Sequence, residues 1–181
     1  MQPIGVFGGE FDPIHNGHLR TAFELWQELH LTEVRIMPTG SPPHRDPPYA
    51  SADLRLQMVR AAVADQPAFV VDDREVRRSG VSYSVDTLTE LRAEFPQRSL
   101  CLLLGMDAFL GLPNWHRWRD ILDLAHVVVW HRPGWKAPGR VEYDRFEQIG
   151  RAEDQGLEFV PYGRRPPAAS GLRPGPKPCR A

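Results

Sequence analysis

The chain has 181 residues, 22 Lys and Arg against 23 Asp and Glu, and a formal net charge of −1. That length suffices for one α/β core, and the near-neutral charge argues against a general nucleic-acid binder, whose footprint is strongly basic. The two cysteines, Cys101 in an apolar run and Cys179 near the end, make no disulfide framework, and no apolar stretch approaches the roughly 20 residues of a membrane span.

Ile4-Gly5-Val6-Phe7 reads as a short buried strand, and Leu19, Ala22, Phe23, Trp26 and Leu29 share the spacing of one helix face. Between them lies Gly8-Gly9-Glu10-Phe11-Asp12-Pro13-Ile14-His15-Asn16-Gly17-His18. A strand, a glycine turn and a helix N-terminus form the local geometry that binds phosphate, because unpaired amides and the helix dipole both favour an anion there. Gly8 and Gly9 permit close approach of a ligand to the backbone, and Gly17 does the same between the histidines. Neither G-x-x-x-x-G-K-S/T nor G-x-G-x-x-G is present. What stands is His-x-Gly-His at a helix entrance, and three readings stay open: imidazoles serving phosphate chemistry, a turn with capping or surface histidines, or a zinc site. No Cys or acidic ligand set accompanies the last at a familiar spacing.

Val34-Arg35-Ile36-Met37 predicts a second strand, followed by a proline-rich loop from Pro38 to Ala50 that holds Pro42-Pro43-His44-Arg45. Proline lowers the cost of holding such a loop in one conformation. Ser51 is the expected N-cap of a helix through Leu54, Met58, Ala61 and Ala62. Phe69-Val70-Val71 reads as a strand, and the charged run Asp73 to Arg78 as a solvated edge hairpin. Ser82-Tyr83-Ser84-Val85-Asp86-Thr87-Leu88 leads into a helix through Leu91 and Phe95, its hydroxyls available as caps; that helix start could also hold a carboxylate by its amides. Leu100 to Leu104 is a continuous apolar run, as in a central parallel strand, and ends in Gly105-Met106-Asp107. Asp107 is either a helix cap or an acceptor for ribose hydroxyls. Trp115 and Trp118, in Leu112-Pro113-Asn114-Trp115-His116-Arg117-Trp118, share a helix face. Ala125 to Trp130 predicts a fifth strand closed by His131-Arg132-Pro133-Gly134, Glu142 to Gln155 a helix, and Leu157 to Val160 a last strand. The alternation of these units predicts an α/β fold: a doubly wound, Rossmann-like parallel sheet of five to six strands with helices on both faces. Ligands of such sheets sit beyond the carboxyl ends of the strands, so the Gly8–Gly9 and Gly105 turns should face one crevice.

Gly8-Gly9-x-Phe11-Asp12-Pro13-x-His15-x-Gly17-His18 resembles the signature of the nucleotidyltransferases that carry HxGH, and in its long form that of the bacterial nicotinate-nucleotide adenylyltransferases. Three later segments resemble that branch as well: Pro42-Pro43-His44-Arg45, the S-Y-S-x-x-T-L run from Ser82 to Leu88, and G-x-D at Gly105–Asp107. The resemblance implies adenylyl transfer from ATP to nicotinate mononucleotide, giving deamido-NAD and pyrophosphate. It implies that His15 and His18 are catalytic, binding the ATP phosphates. It also implies that Gly8, Gly9, Phe11, Asp12, Gly17, Gly105 and Asp107 contact ATP. On the mononucleotide side it implies His44, Arg45, Ser84, Thr87, Trp115, His116 and Arg132. Backbone around Ser84 would recognise the nicotinate carboxylate, Trp115 would stack on the pyridine, and Trp118 would be packing. Relatives often carry Tyr where His116 stands and R-R-P-G where His131-Arg132-Pro133-Gly134 stands. Mg²⁺ is expected with ATP, no residue set makes a dedicated metal site, and no nucleic-acid or membrane partner is expected.

The resemblance covers roughly residues 4 to 160. The expected domain is 1–162, followed by a Pro- and Arg-rich, disordered segment at 163–181 in place of the family's C-terminal ATP motif and helices. The expectation is a frameshifted or truncated terminus; the alternative is a variant in which Arg164, Arg165 and Arg173 serve as loose phosphate contacts. No signal-peptide pattern opens the chain, so the cytoplasm is the expected compartment. Two rival functions stand: another HxGH enzyme, such as a pantetheine-phosphate adenylyltransferase or a cytidylyltransferase, or a nucleotide-binding protein without turnover.

Overall fold

A computed structural model of the chain describes residues 2–41, 48–131 and 158–161. Six strands form one parallel sheet: β1 (Ile4–Gly9), β2 (Glu33–Pro38), β3 (Phe69–Val71), β4 (Leu100–Gly105), β5 (His126–His131) and β6 (Glu158–Pro161). Their spatial order is β3-β2-β1-β4-β5-β6. The helices are α1 (Asn16–Glu28), α2 (Ala52–Val63), α3 (Arg74–Arg77), α4 (Ser84–Glu94), α5 (Met106–Gly111) and α6 (Trp118–Leu124), with a 3₁₀ turn at Leu112–Asn114.

Side chains alternate across a strand, so each strand feeds two cores. Ile4 and Val6 of β1, Leu100, Leu102 and Leu104 of β4, and Val127 and Val129 of β5 face Leu88 and Leu91 of α4, Phe109 of α5 and Ile121 of α6. Phe7, Leu103 and Val128 point to the other side, against Ala22 and Leu25 of α1 and Val59 and Val63 of α2. Each fully buried aliphatic side chain of this kind contributes roughly 1.5–3 kcal/mol. The doubly wound sheet is therefore as the sequence predicts, with helices on both faces.

Three local expectations are corrected. The charged run 73–78 is no edge hairpin: it forms α3, with Glu75 buried. Arg74 and Arg78 pair with carboxylates outside the run, while the exposed Arg77 pairs with Asp73 within it. Arg74 pairs with Asp72 at 2.8 Å and Glu94 at 2.8 Å, Arg78 with Glu90 at 2.7 Å, and Arg35 of β2 with Asp72 at 3.0 Å. Burial alone would push the Asp72 carboxyl up, but the guanidinium groups of Arg74 and Arg35 outweigh it and hold the group below its ordinary value. The second correction concerns α2, which begins as expected with Ser51 accepting from the Leu54 amide at 3.3 Å. Its buried face is Arg55, Leu56, Val59 and Val63, while Leu54 is exposed and Ala61 and Ala62 face outward. Third, the N-cap residue of α4 is Tyr83, with no side-chain cap; the Ser82 hydroxyl donates instead to the Glu75 carbonyl at 3.4 Å. The expected helix at 142–155 and the 163–181 segment lie outside the described residues.

Candidate active site

The site arises where the sheet stops pairing. β1 pairs with β4 only over Ile4–Val6 and Leu100–Leu102, although β1 runs on to Gly9 and β4 to Gly105. Their carboxyl ends separate at the point where the strand order reverses, which is where open α/β sheets bind ligands. A cavity of about 260 Å³ fills the gap. Gly8, Gly9 and Glu10 form one wall, Leu102 to Gly105 the floor, and Ser82, Tyr83, Ser84, Trp115 and His116 the opposite wall. A methyl group added at Gly8 would meet nothing within 4 Å. The backbone there is open to a ligand and no side chain stands in the way.

The two histidines open α1 as a reciprocal cap. His15, with extended backbone (φ −148°, ψ 170°), is the N-cap residue, and its Nδ1 accepts from the Gly17 amide at 3.1 Å. The His18 Nδ1 accepts from the His15 amide at 3.3 Å. This is the capping-box pattern executed by imidazoles. A neutral imidazole that accepts at Nδ1 carries its hydrogen on Nε2, so both rings present a donor on the edge away from the cap. The rings stack with centroids 3.8 Å apart. Neither is part of the cavity wall itself. They stand one layer behind it: Gly9 abuts the Phe11 ring, which meets the His18 ring edge-on at 5.2 Å.

Phe11 and Asp12 also lie outside that wall. Phe11 is buried with φ +50°, a conformation that costs a bulky residue energy, and packs edge-on to Phe7 at 5.7 Å. The Asp12 carboxylate accepts from the amides of Tyr49 and Ala50, tying the turn to the start of α2. Gly17 stands against the His15 ring, 3.0 Å from where its Cβ would be. Gly105 lines the cavity, and Asp107, exposed in the first turn of α5, places Oδ1 2.8 Å from the position a Gly105 Cβ would take.

On the opposite wall, the uncapped N-terminus of α4 carries amides with no intrahelical acceptor at Ser84 and Val85; the bonds back to the Tyr83 carbonyl begin at Asp86. Ser84 is in the wall, so this helix end is open to an anion. Thr87 is not in the wall: it is buried, and its hydroxyl donates to Glu75 Oε1 at 2.7 Å and accepts from Arg78 at 3.1 Å. Trp115 lines the cavity while Trp118 is buried in the core. The exposed His116 ring lies 4.4 Å from the Tyr83 ring.

Of the wall residues that sequence reasoning did not assign to the site, which include Thr39 and Ala108, two bring the most chemistry. Trp130, at the end of β5, packs edge-on against Phe7 at 5.3 Å; its place at the carboxyl end of a strand was the available signal. Glu75 was hidden in a charged run. Burial holds its carboxyl above the ordinary carboxylate value, against the hydrogen bond from Thr87 and the charge of Arg78. His44, Arg45 and Arg132 lie outside the described residues. Among the described residues no cluster of three or more His, Cys, Asp or Glu is placed to hold a metal, and no helix is long and apolar enough to cross a membrane.

A cytidylyltransferase-like family model matches residues 6–170. A protein of Aeromonas hydrophila subsp. hydrophila named "Probable nicotinate-nucleotide adenylyltransferase" is 56% identical over 134 residues, covering 74% of this chain and 63% of the relative. One of the same name from Dechloromonas aromatica is 48% identical over 168 residues, covering 90% and 77%. The chain spans a little under two thirds of the length of the former. The backbone superposes on the Plasmodium falciparum nicotinic acid mononucleotide adenylyltransferase complexed with NaAD with a TM-score of 0.74 at 14% identity, covering 91% of this chain and 77% of that one.

Proposed function

The chain belongs to the cytidylyltransferase-like family and, within it, to the nicotinate-nucleotide adenylyltransferases, and on that premise we propose that it transfers the adenylyl group of ATP to nicotinate mononucleotide. The observation that carries the reading is the cavity between the diverging ends of β1 and β4, with the histidine-capped α1 behind one wall and the uncapped α4 N-terminus in the other.

The mononucleotide phosphate attacks the α-phosphorus of ATP in line. A P–O bond forms, the bond to the β-phosphate oxygen breaks, and pyrophosphate leaves with the electron pair, giving deamido-NAD. A phosphate monoester is largely dianionic at neutral pH, its second pKa being near 6, so no general base is needed. Catalysis is then positioning and charge stabilisation. The Nε2–H groups of His15 and His18 serve as donors to the ATP phosphates, with the backbone of Gly8 and Gly9 close against them. The α4 amides at Ser84 and Val85 receive the nicotinate carboxylate, Trp115 stacks on the electron-poor pyridine, and Asp107 accepts from ribose hydroxyls. Thr87 acts from behind, holding Glu75 and Arg78 in place. Mg²⁺ would enter with ATP as part of the substrate and would offset phosphate charge there. His44 and Arg45 keep the phosphate contacts, and Arg132 the place on the mononucleotide side, that the family resemblance gives them.

The test is pyrophosphate release from Mg-ATP with nicotinate or nicotinamide mononucleotide, and with CTP replacing ATP. Release with ATP and a preference for nicotinate is expected. Release only with CTP would establish a different nucleotidyltransferase, and nucleotide binding without release would establish a binding protein.

A further inference from the structure

Arg55 is among the largest fully buried side chains of the protein, 1% exposed, in the first turn of α2. A cation there opposes the helix dipole, so the position carries an electrostatic cost. Among the described residues no carboxylate forms an ion pair with it. Its guanidinium instead donates to four backbone carbonyls: Ala50 from Nε at 3.2 Å, Glu10 from Nη1 at 2.6 Å, and Thr39 and Gly40 from Nη2 at 2.7 and 3.3 Å. These acceptors belong to three separate segments: the glycine turn after β1, the chain leaving β2, and the entry to α2. Glu10 and Thr39 are cavity-wall residues.

We propose that Arg55 is a positioning residue for phosphate: by gripping these carbonyls from inside, it turns the amides of Phe11, Gly40 and Ser41 away from itself as an anion-binding set next to the wall residues Glu10 and Thr39. The reason is the geometry of the peptide unit. In a trans peptide the C=O and N–H point in opposite directions. A carbonyl drawn to a buried guanidinium therefore presents the N–H of the following residue on the far side. Successive amides so presented, with a buried cation behind them, attract a phosphate group. The planar five-donor fork reaches several acceptors at once, which a lysine ammonium on one flexible stem does not. The inference rests on the nucleotide reading above, and adds a residue that acts on the ligand only through the backbone.

The experiment compares wild type with Arg55→Met, which keeps the stem volume, and Arg55→Lys, which keeps the charge. Binding of Mg-ATP, nicotinate mononucleotide and adenosine is measured by calorimetry alongside a thermal melt of each protein. Arg55→Met should melt cooperatively, bind ATP or the mononucleotide about 10-fold or more weakly, as expected for lost hydrogen bonds to a charged group, and bind adenosine as wild type does. Arg55→Lys should recover only part of the loss. The ligand that weakens identifies whose phosphate the amides hold. Equal weakening of ATP and adenosine, wild-type binding of both phosphate ligands in either variant, or failure of both variants to fold would overturn the proposal. Wild-type protein that bound none of the three ligands would overturn the nucleotide reading, and this inference with it.

Discussion

Gly8→Ala isolates the contact between backbone and ligand from everything that holds the fold. The Cβ has no heavy atom within 4 Å, so the methyl enters open cavity and strains nothing. Gly8 does not occupy the left-handed region, so alanine accepts its backbone, and the unfolded chain loses freedom. The fold should gain about 0.4–1 kcal/mol from that term. For a protein of this size, this is a rise of roughly 1–4 °C in Tm. The same methyl stands in a cavity of about 260 Å³, on the wall where phosphate must come within hydrogen-bond distance of the chain. Displacing the reacting groups by about 1 Å costs on the order of 10²-fold in rate. The variant should therefore be at least as stable as wild type and about 100-fold lower in kcat/KM. Gly40→Ala is the internal control, because its Cβ would lie 2.1 Å from the Glu75 carbonyl; it should be destabilised by roughly 1–3 kcal/mol. The assays are a thermal melt and steady-state pyrophosphate release. Full kcat/KM in Gly8→Ala would show that no ligand approaches this turn, and the site would have to lie elsewhere.

Two further outcomes follow from His18 behind the cavity and Glu75 in its wall. His18→Ala removes an Nε2–H donor and the acceptor of the His15 amide. Turnover should fall about 10²–10³-fold while the lost cap costs only ~1 kcal/mol, and near-normal turnover would refute the role of the ring. Glu75→Gln tests the buried carboxyl, whose folded-state value is raised by burial. A raised carboxyl means the folded chain keeps a proton that the unfolded chain has lost, so this group makes stability fall as pH rises from its ordinary value of 4.5 through the folded value. The Tm advantage of Glu75→Gln over wild type should thus grow from pH 4.5 towards neutrality. A pH-independent difference would sink the argument. Asp72 works with the opposite sign: its depressed carboxyl contributes stability that is lost only as pH falls below 3.8.

Continuous apolar runs and glycine punctuation made the central strands and the first turn legible, because a strand buried on both faces has no polar residue to blur the pattern. The cap at His15 and His18 was readable only as a possibility, since imidazoles at a helix start serve several ends. The α2 face was misread because its buried stripe contains Arg55, which a hydropathy pattern scores as solvent-facing. Residues 73–78 were misread for the same reason: besides the neighbouring Asp72, Arg74 and Arg78 pair with Glu94 and Glu90 and Glu75 accepts from Thr87, and those α4 partners are brought there only by the tertiary fold. Thr87, expected at the ligand, is committed to that network.

The position of β1 has a consequence for how the chain is made. It lies third in the sheet and pairs on both sides, with β2 close in sequence and with β4 roughly a hundred residues later. During synthesis β1 leaves the ribosome before the other five strands and acquires β2 early, yet one edge stays open until β4 has emerged. At about 5–20 residues per second that interval lasts several seconds, with Ile4 to Phe7 offering unpaired amides and apolar side chains to any neighbouring strand. The strand around which the crevice forms is thus also the nascent chain's point of greatest exposure to misassembly. Substitutions that slow β4 docking should lower the yield of soluble protein before they lower the activity of the molecules that fold.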